Sequence, residues 1–268
     1  MTSTNTAVTT TSTWDLTAPG IEEDLVVTVA TATHPGDKAR NADAVAVEHY
    51  ATAGTVAAAV LDGKGTSAET ARAMRVCAPA AVMLAARYGA LNGLSSAGSM
   101  LADPGREFVP VDGVGALAVV RPGSPVAVVH VGRARAHTWS GHELAELTED
   151  HTHGQQLRNV GRTEQEAAAY DRLQRVTLAR STVGTIPSAL TDDELVLLTT
   201  HGVHSVLGLA RMTEIVRVHQ HTGAAAVADE LLHGALEHGR PGDRDNASVI
   251  AIALIRTPRT SAGKAQQS

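Results

Sequence analysis

Short apolar segments rich in β-branched residues recur along this chain, and they constrain its fold more than any other feature. Some segments alternate apolar and polar residues, which is typical of half-buried strands. Others are unbroken apolar runs, which are typical of fully buried strands. The segments are LVVTVATAT (25–33), AVAVEHY (44–50), TVAAAVLDG (55–63), GALAVV (115–120), PVAVVHV (125–131), ARAHTW (134–139), DELVLLTT (193–200) and NASVIAIALI (246–255). The three segments between 115 and 139 are separated only by turn residues, which predicts an antiparallel meander.

Helical patterns lie between these strands. They cover SAETARAMRVCAPAAVMLAAR (67–87), the polar stretch 151–170, ARMTEIVRVHQ (210–220) and GAAAVADELLHGALEHG (223–239). Pro79 is expected to bend or interrupt the first helix, because it lacks the backbone donor a helix needs. The Gly/Ser-rich stretch LNGLSSAGS (91–99) is expected to be a loop. Strand meanders with helices outside them predict an α+β layered domain.

The chain of 268 residues suits one large domain with a flexible segment at each end. Residues 1–24 are rich in Thr and Ser and end near Pro19-Gly20, which predicts a flexible lead. Residues 25–257 form the folded domain, and residues 258–268 are expected to be a flexible polar tail.

Composition excludes several classes of function. Aromatic residues are 2% and the net charge is −6 without a basic run, so neither the stacking surface nor the charge of a nucleic-acid binder is present. Cys77 is the single cysteine, which rules out a disulfide framework within the chain and fits a reducing cytoplasm. The N-terminus lacks the features of a signal peptide, and no apolar run has membrane-spanning length. We therefore expect a cytoplasmic protein that binds neither nucleic acid nor membrane.

Three acidic motifs sit at strand edges: RNAD (40–43), VLDGKG (60–65) and DRDNAS (243–248). Carboxylates at strand ends that are far apart in sequence can meet in a sandwich and bind hard divalent cations. Ordinary turn chemistry also places Asp-Gly at strand ends, so the motifs taken alone leave both interpretations open.

The order of these motifs resembles that of the metal-dependent protein phosphatases of the PPM, or type 2C, family. The resemblance runs from about Val26 to Ile255 and rests on six segments. They are GDKARNAD, similar to Gly-x-Arg and Asn-Glu-Asp; VLDGKG, to Asp-Gly-x-Gly; VGRARAHTW, to Gly-Asp-Ser-Arg; LTEDHT, to Leu-Thr-x-Asp-His; LLTTHG, to Leu-Leu-x-Ser-Asp-Gly; and DRDNAS, to Asp-Asn-x-Thr/Ser. The implied fold is a central antiparallel β-sandwich flanked by helix pairs, in an α-β-β-α order.

In that family two Mg²⁺ or Mn²⁺ ions activate a water that attacks phosphoserine or phosphothreonine. The resemblance makes Asp62 the carboxylate that bridges the ions and Asp245 a ligand of one of them, so these two are the catalytic candidates. It also assigns the Gly63 carbonyl to the second ion and places Asp43 in or near the outer shell. Lys38 stands where the family has its phosphate-clamping Arg, which keeps the charge but loses the bidentate fork.

Three family positions are altered here. His201 replaces a metal-binding Asp, Ala42 replaces a Glu or Gln beside the second ion, and Arg133 replaces an Asp linked to an additional ion. The altered set weakens cation binding, since each close pair of unit charges is worth about 4 kcal/mol at an effective dielectric of about 20. We expect one Mn²⁺ or Mg²⁺ ion rather than two, held by Asp62, Asp245 and His201, or no ion at all. The other interpretations are that His201 is a polar turn residue without a ligand role, and that Arg133 pairs with Asp62 or Asp245 in place of an ion.

Two functions of different classes remain open. One is a serine/threonine phosphatase with impaired or altered metal use, acting on a phosphorylated protein; we favour it on the family resemblance. The alternative is an inactive pseudophosphatase that serves as a regulatory or phosphoprotein-binding module, which the ligand chemistry favours. Hydrolysis of a small phosphoester is a third, weaker option.

Overall fold

Two antiparallel sheets face each other in the computed structural model, which describes residues 7–18, 20–106 and 109–258. The six-stranded sheet has the order β1-β2-β11-β10-β7-β8 and the five-stranded sheet the order β3-β4-β5-β6-β9. The strands are β1 (Val8–Leu16), β2 (Glu23–His34), β3 (Asp43–Tyr50), β4 (Thr55–Gly63), β5 (Gly113–Val120), β6 (Val126–Val131), β7 (Arg135–Trp139), β8 (Leu144–Glu146), β9 (Ser188–Thr191), β10 (Leu195–Thr199) and β11 (Ala247–Pro258).

A pair of long helices covers the outer face of each sheet. Helices α1 and α2 pack on the five-stranded sheet, and α5 and α6 pack on the six-stranded sheet. The helices are α1 (Ala68–Tyr88), α2 (Ala90–Leu101), α3 (His153–Asn159), α4 (Glu164–Ala168), α5 (His201–His219) and α6 (Ala224–His238). The expected α+β sandwich flanked by helix pairs is confirmed. In the described parts of the chain, no helix has the length and apolar character needed to span a membrane.

Both faces of the central strands are buried, which explains their unbroken apolar sequences. In β4, Val56, Ala58 and Val60 face the core between the sheets. The alternate residues Ala57, Ala59 and Leu61 face the core beneath α1 and α2. Because successive side chains point to opposite faces, a strand between two cores must be apolar at every position.

The N-terminal segment differs from the expected flexible lead. Residues 8–16 form β1, and all nine pair with β2. The Thr-rich composition that suggested disorder also favours strands, because β-branched residues fit a pleated surface. Trp14 packs against the sandwich core and Leu16 is buried within it, so the segment has apolar anchors. Residues 1–6 and 259–268, which complete the predicted lead and tail, lie outside the described residues.

Pro79 does not interrupt its helix, and the predicted loop LNGLSSAGS is helical. Helix α1 continues through Pro79, whose ring is exposed. Proline has no N–H, so the Arg75 carbonyl lacks its helical donor, but this carbonyl is on the solvent side. LNGLSSAGS belongs to helix α2, in which Leu94 and Ala97 are buried. Small residues allow close packing there, since a Cβ at Gly93 would lie 2.5 Å from the Cβ of Ala85 in α1.

The predicted meander is correct for two of its three strands. β5 and β6 are neighbours in the five-stranded sheet, but β7 crosses to the other sheet and pairs with β10 and β8. The turn at Gly132, which has a positive φ of 80°, carries the chain from β6 towards β7. Helices within 151–170 were predicted correctly as α3 and α4.

Candidate functional site

A small cavity at one end of the sandwich brings together the residues that the sequence motifs singled out. It has a volume of about 160 Å³ and is lined by Asp62, Gly63, Lys64, Gly65, Thr66, Gly113, Val114, Arg133, Gln174, His201, Asp245 and Asn246. The end of β4 supplies Asp62 and Gly63, and the β6–β7 turn supplies Arg133. The first residue of α5 supplies His201, and the loop before β11 supplies Asp245 and Asn246.

Asn246 fixes the loops around the cavity. Its side-chain Oδ1 accepts a hydrogen bond from the Ala42 amide at 2.8 Å. Its Nδ2 donates to the carbonyls of Pro35 at 2.8 Å and Arg40 at 3.0 Å. The buried amide therefore ties residues 35–42 to the loop that carries Asp245, with donor and acceptor both satisfied.

Two glycines permit the close approach of these loops. Gly36 has a positive φ of 61°, and a Cβ there would collide with the backbone of Asp245. A Cβ at Gly202, in the first turn of α5, would collide with the backbone of Asn246. Any larger residue at these positions would push the Asp245 loop away from His201.

His201 has both ring nitrogens directed at protein groups. The Arg133 guanidinium, which can only donate, lies with its Nη1 3.1 Å from Nε2. Nε2 must therefore accept, so the proton of the neutral ring is on Nδ1. Nδ1 faces Asp245, with 3.8 Å between it and Oδ2. His201 therefore lies between Arg133 and Asp245. The lone pair of Nε2 accepts from Arg133, so His201 has no free lone pair for a metal ion.

Asp62 interacts with the start of helix α5. Its Oδ2 accepts a hydrogen bond from the backbone N–H of His201 at 3.3 Å, and Thr200 makes no side-chain cap of its own. The carboxylate thus acts at the positive end of the helix dipole. Burial, followed by the charge of Asp245, nevertheless raises the pKa of Asp62 to about 6, while His201 and Arg133 oppose the shift.

The other two acidic candidates differ sharply from each other. Asp43 is buried beside Asp62 in the β3–β4 ladder, and its Oδ2 accepts hydrogen bonds from Thr200 and Ser248 at 2.8 Å each. Burial, followed by the charge of Asp62, raises the pKa of Asp43 well above its ordinary value. Asp245 is half exposed, and its interaction with His201 lowers its pKa. Asp43 does not line the cavity, whereas Asp245 does.

The remaining predicted residues fall in different places. Gly63 lines the cavity, and its amide donates to the Ala42 carbonyl at 3.2 Å. Ala42 is fully buried and offers only its backbone. Lys38 does not line the cavity: its Nζ lies 2.8 Å from Oδ1 of Asp243, and this contact raises its pKa. The phosphate-binding role of Lys38 stays a prediction.

The residues around the cavity do not fit a two-metal centre. Within residues 7–18, 20–106 and 109–258, no group of three or more His, Cys, Asp or Glu side chains is arranged to hold a metal ion. Two carboxylates, Asp62 and Asp245, share the lining with two cationic side chains, Lys64 and Arg133. A pair of +2 ions requires a surplus of anionic ligands, and this lining has none.

Three residues that shape this site were not identified from the sequence. Asn246 lies within the DRDNAS motif and Thr200 within LLTTHG. Both motifs were recognised, but roles were assigned only to the neighbouring residues Asp245 and His201. Gln174 lines the cavity with its Oε1 buried and without a hydrogen-bond partner among the described residues. It comes from a loop with no motif, so no local pattern could have pointed to it.

No protein-family model matches this sequence, and a search of the curated proteins finds no relative. Solved structures, in contrast, resemble it over most of its length. The catalytic domain of the serine/threonine protein phosphatase PstP in complex with two manganese ions is 21% identical, covers 86% of this chain and 99% of its own, and has a TM-score of 0.67. The PPM Ser-Thr phosphatase MsPP from Mycobacterium smegmatis, in complex with cacodylate, is 18% identical, with 92% and 97% covered and a TM-score of 0.63.

Serine/threonine phosphatase Stp1 from Staphylococcus aureus gives a similar result. It is 16% identical, with 90% of this chain and 97% of its own covered, at a TM-score of 0.64. The chain therefore has the fold of the bacterial PPM-type serine/threonine phosphatases. This is the fold that the order of the six motifs implied.

Proposed function

We propose that this protein is a pseudophosphatase, which keeps the PPM fold as a regulatory module that binds a phosphorylated protein without hydrolysing it. The observation that carries the proposal is the contact between Arg133 and His201 inside the would-be metal centre. A guanidinium holds the Nε2 of His201, and the backbone amide of His201 takes the Asp62 carboxylate. A reducing, cytoplasmic location is part of the proposal and agrees with the buried free thiol of Cys77.

Electrostatics supports this assignment. At an effective dielectric of about 20, a unit charge 4 Å from another is worth about 4 kcal/mol, and a divalent ion doubles the effect. Arg133 is a permanent cation among the carboxylates that a metal would need. It lowers the pKa of Asp62, as a bound cation would do, and so partly takes over the role of an ion.

A slow phosphatase that uses one ion is the second candidate, and it is the one that the family resemblance favours. The PPM fold supports it, as do Asp62, Gly63 and Asp245, which still line one cavity. Such an ion would supply an activated water if Arg133 and His201 swung away from the carboxylates.

The test combines metal binding, hydrolysis and phosphopeptide binding in one buffer. Metal-stripped protein is titrated calorimetrically with Mn²⁺ and with Mg²⁺, and phosphate release from a phosphothreonine peptide is followed in parallel. Fluorescence anisotropy compares that peptide with its unphosphorylated twin. We expect no metal heat, no phosphate release, and tighter binding of the phosphorylated peptide. Metal-dependent release that Asp245→Asn abolishes would instead establish the slow phosphatase.

A variant pair tests the reason for inactivity. Arg133→Asp combined with His201→Asp removes the internal cation and adds two carboxylates, one of them at the favourable N-terminus of α5. We expect Mn²⁺ affinity to rise at least tenfold, equivalent to about 1.4 kcal/mol. Arg175→Asp, which changes an exposed arginine outside the cavity, is the control. A folded double variant with unchanged Mn²⁺ affinity would contradict the role given to Arg133.

A further inference from the structure

Strand β1 forms a long outer edge of the six-stranded sheet. All nine of its residues pair with β2 in one continuous register, from Val8 with Thr33 to Leu16 with Leu25. No strand of the described residues lies on its other side. The backbone groups along that side are a template for a further strand.

The other sheet edges have more of the features that discourage pairing than β1 has. β8 has only three residues, and β9 has four and follows Pro187. β3 is longer, but it includes the charged residues Asp43 and Glu48. β1 has no proline, no lysine and no bulge, and Asp15 near its end is its single charge. Proline, lysine, bulges and short length are the usual protections of an edge.

We propose that β1 is a homodimer interface, in which two copies join their β1 edges antiparallel around a two-fold axis at Thr11. The two sheets then form one continuous twelve-stranded sheet. In this register Thr9 lies opposite Thr13 of the second copy, and Thr10 lies opposite Ser12. Thr11 lies opposite itself, and Val8 lies opposite Trp14 at both ends of the paired segment.

The side chains of β1 suit a second copy of this strand. Hydroxyl pairs of the required type already exist within the β1–β2 hairpin, at 2.8 Å between Thr10 and Thr31 and at 3.0 Å between Thr13 and Thr28. Val8 is 58% exposed in the single chain and would gain an aromatic neighbour in Trp14. Threonine is also among the residues that sheets favour most.

Charge does not oppose the pairing. Asp15 lies beyond the paired residues 8–14, so no carboxylate faces another across the interface. Asp229 of α6, which accepts a hydrogen bond from Thr9, is the nearest acid on the covering helix. The position of Thr9 marks that of Asp229 along the strand. In the dimer the two copies of Thr9 lie four residues apart along the strands, about 14 Å at about 3.4 Å per residue. That separation exceeds the Debye length of about 8 Å at physiological salt.

The mass of the full chain in solution, measured by sedimentation equilibrium at high micromolar concentration, tests the proposal. We expect twice the chain mass for the wild type and the single-chain mass for Thr11→Lys, because the register places two lysines face to face. Thr257→Lys, an exposed change in the central strand β11 of the same sheet, should remain dimeric. Circular dichroism confirms that each variant is folded.

Mixing variants tests the register itself. Thr11→Lys and Thr11→Glu should each be monomeric alone and should form a heterodimer when mixed, because residue 11 faces residue 11 only in this register. A monomeric wild type would overturn the proposal, as would a dimer that Thr11→Lys leaves intact. Two monomeric variants that fail to associate when mixed would overturn the register around Thr11.

Discussion

At the scale of single residues, Asp62 and Asp245 line the same cavity but have opposite energetic effects on the fold. The pKa of Asp62 is raised to about 6, chiefly by burial, so its ionised form is less favourable in the folded protein than in the unfolded chain. The pKa of Asp245 is lowered, chiefly by its interaction with His201, so its ionised form favours folding. A carboxylate that costs stability at neutral pH is typical of functional sites.

Asp62→Asn should therefore stabilise the metal-free protein at pH 7. The raised pKa of Asp62 means that the folded state holds this proton longer, so its contribution to stability is lost as pH rises from about 4 through 6. A shift of about two pKa units corresponds to about 3 kcal/mol as an upper limit. Asparagine keeps an oxygen that can accept from the His201 amide. Urea unfolding with a chelator present measures the change.

Asp245→Asn is the matched control and should destabilise the protein at pH 7. If Asp62→Asn also lowered the free energy of unfolding, the interaction of Asp62 with the start of α5 would outweigh the cost of its burial.

At the scale of elements, local composition was overruled by packing in α1, α2 and α5. α1 continues through Pro79 because its other face is packed on the five-stranded sheet by Met74, Cys77, Ala78 and Ala81.

The sequence pattern began the helix of 210–220 too late, since α5 starts at His201. Gly208, with a φ of 66°, interrupts the helix and separates the turn that presents His201 from the rest of α5.

Pro79→Ala should stabilise the protein, because proline inside a helix costs about 3 kcal/mol relative to alanine. The position is exposed, so the change removes little packing and restores the hydrogen bond to the Arg75 carbonyl. We expect a gain of about 1–3 kcal/mol in the free energy of unfolding by urea.

Val76→Ala, at another exposed position of α1, controls for loss of side-chain volume and should change stability by only a few tenths of a kcal/mol. No gain from Pro79→Ala would mean that α1 is distorted around residue 79 in solution.

At the scale of the whole molecule, four histidines are held in environments that disfavour their charged form. Burial is the leading cause in each: it lowers the pKa of His137 to about 3 and that of His151 to about 4, and it also lowers the pKa values of His130 and His204. The unfolded chain binds these protons first as pH falls, so each group makes the fold less stable below about pH 6.5. Asp43 and Asp62 act in the opposite direction, so single variants are needed to separate the effects.

His137→Leu should make the protein less sensitive to acid. His137 is 1% exposed and titrates at about 3 when folded, so between pH 7 and pH 5 it costs the wild type about 2 kcal/mol of stability. We expect the difference in unfolding free energy between variant and wild type to shift by that amount in favour of the variant. Denaturant unfolding at the two pH values measures it.

The exposed His221→Leu controls for removal of an imidazole as such. An equal pH response of wild type and His137→Leu would contradict burial as the dominant effect at His137.

The sequence by itself determined most of the strands, because a stretch of strand buried on both faces has to be apolar throughout, as in residues 56–61 of β4 and 249–254 of β11. It also placed Asp62, Gly63, His201, Asp245 and Arg133 in one group through the order of the motifs, and the structure brings these five to one cavity.

Only the tertiary structure decided that β1 is a strand, that LNGLSSAGS is helical and that β7 crosses to the other sheet, since these depend on neighbours distant in sequence. It alone showed that Arg133 lies 3.1 Å from His201, 68 residues away along the chain. The resemblance implied that metal ligands of the family are replaced at these positions. The structure was needed to show which groups these side chains contact, because the charge balance of a site depends on distances that no local pattern contains.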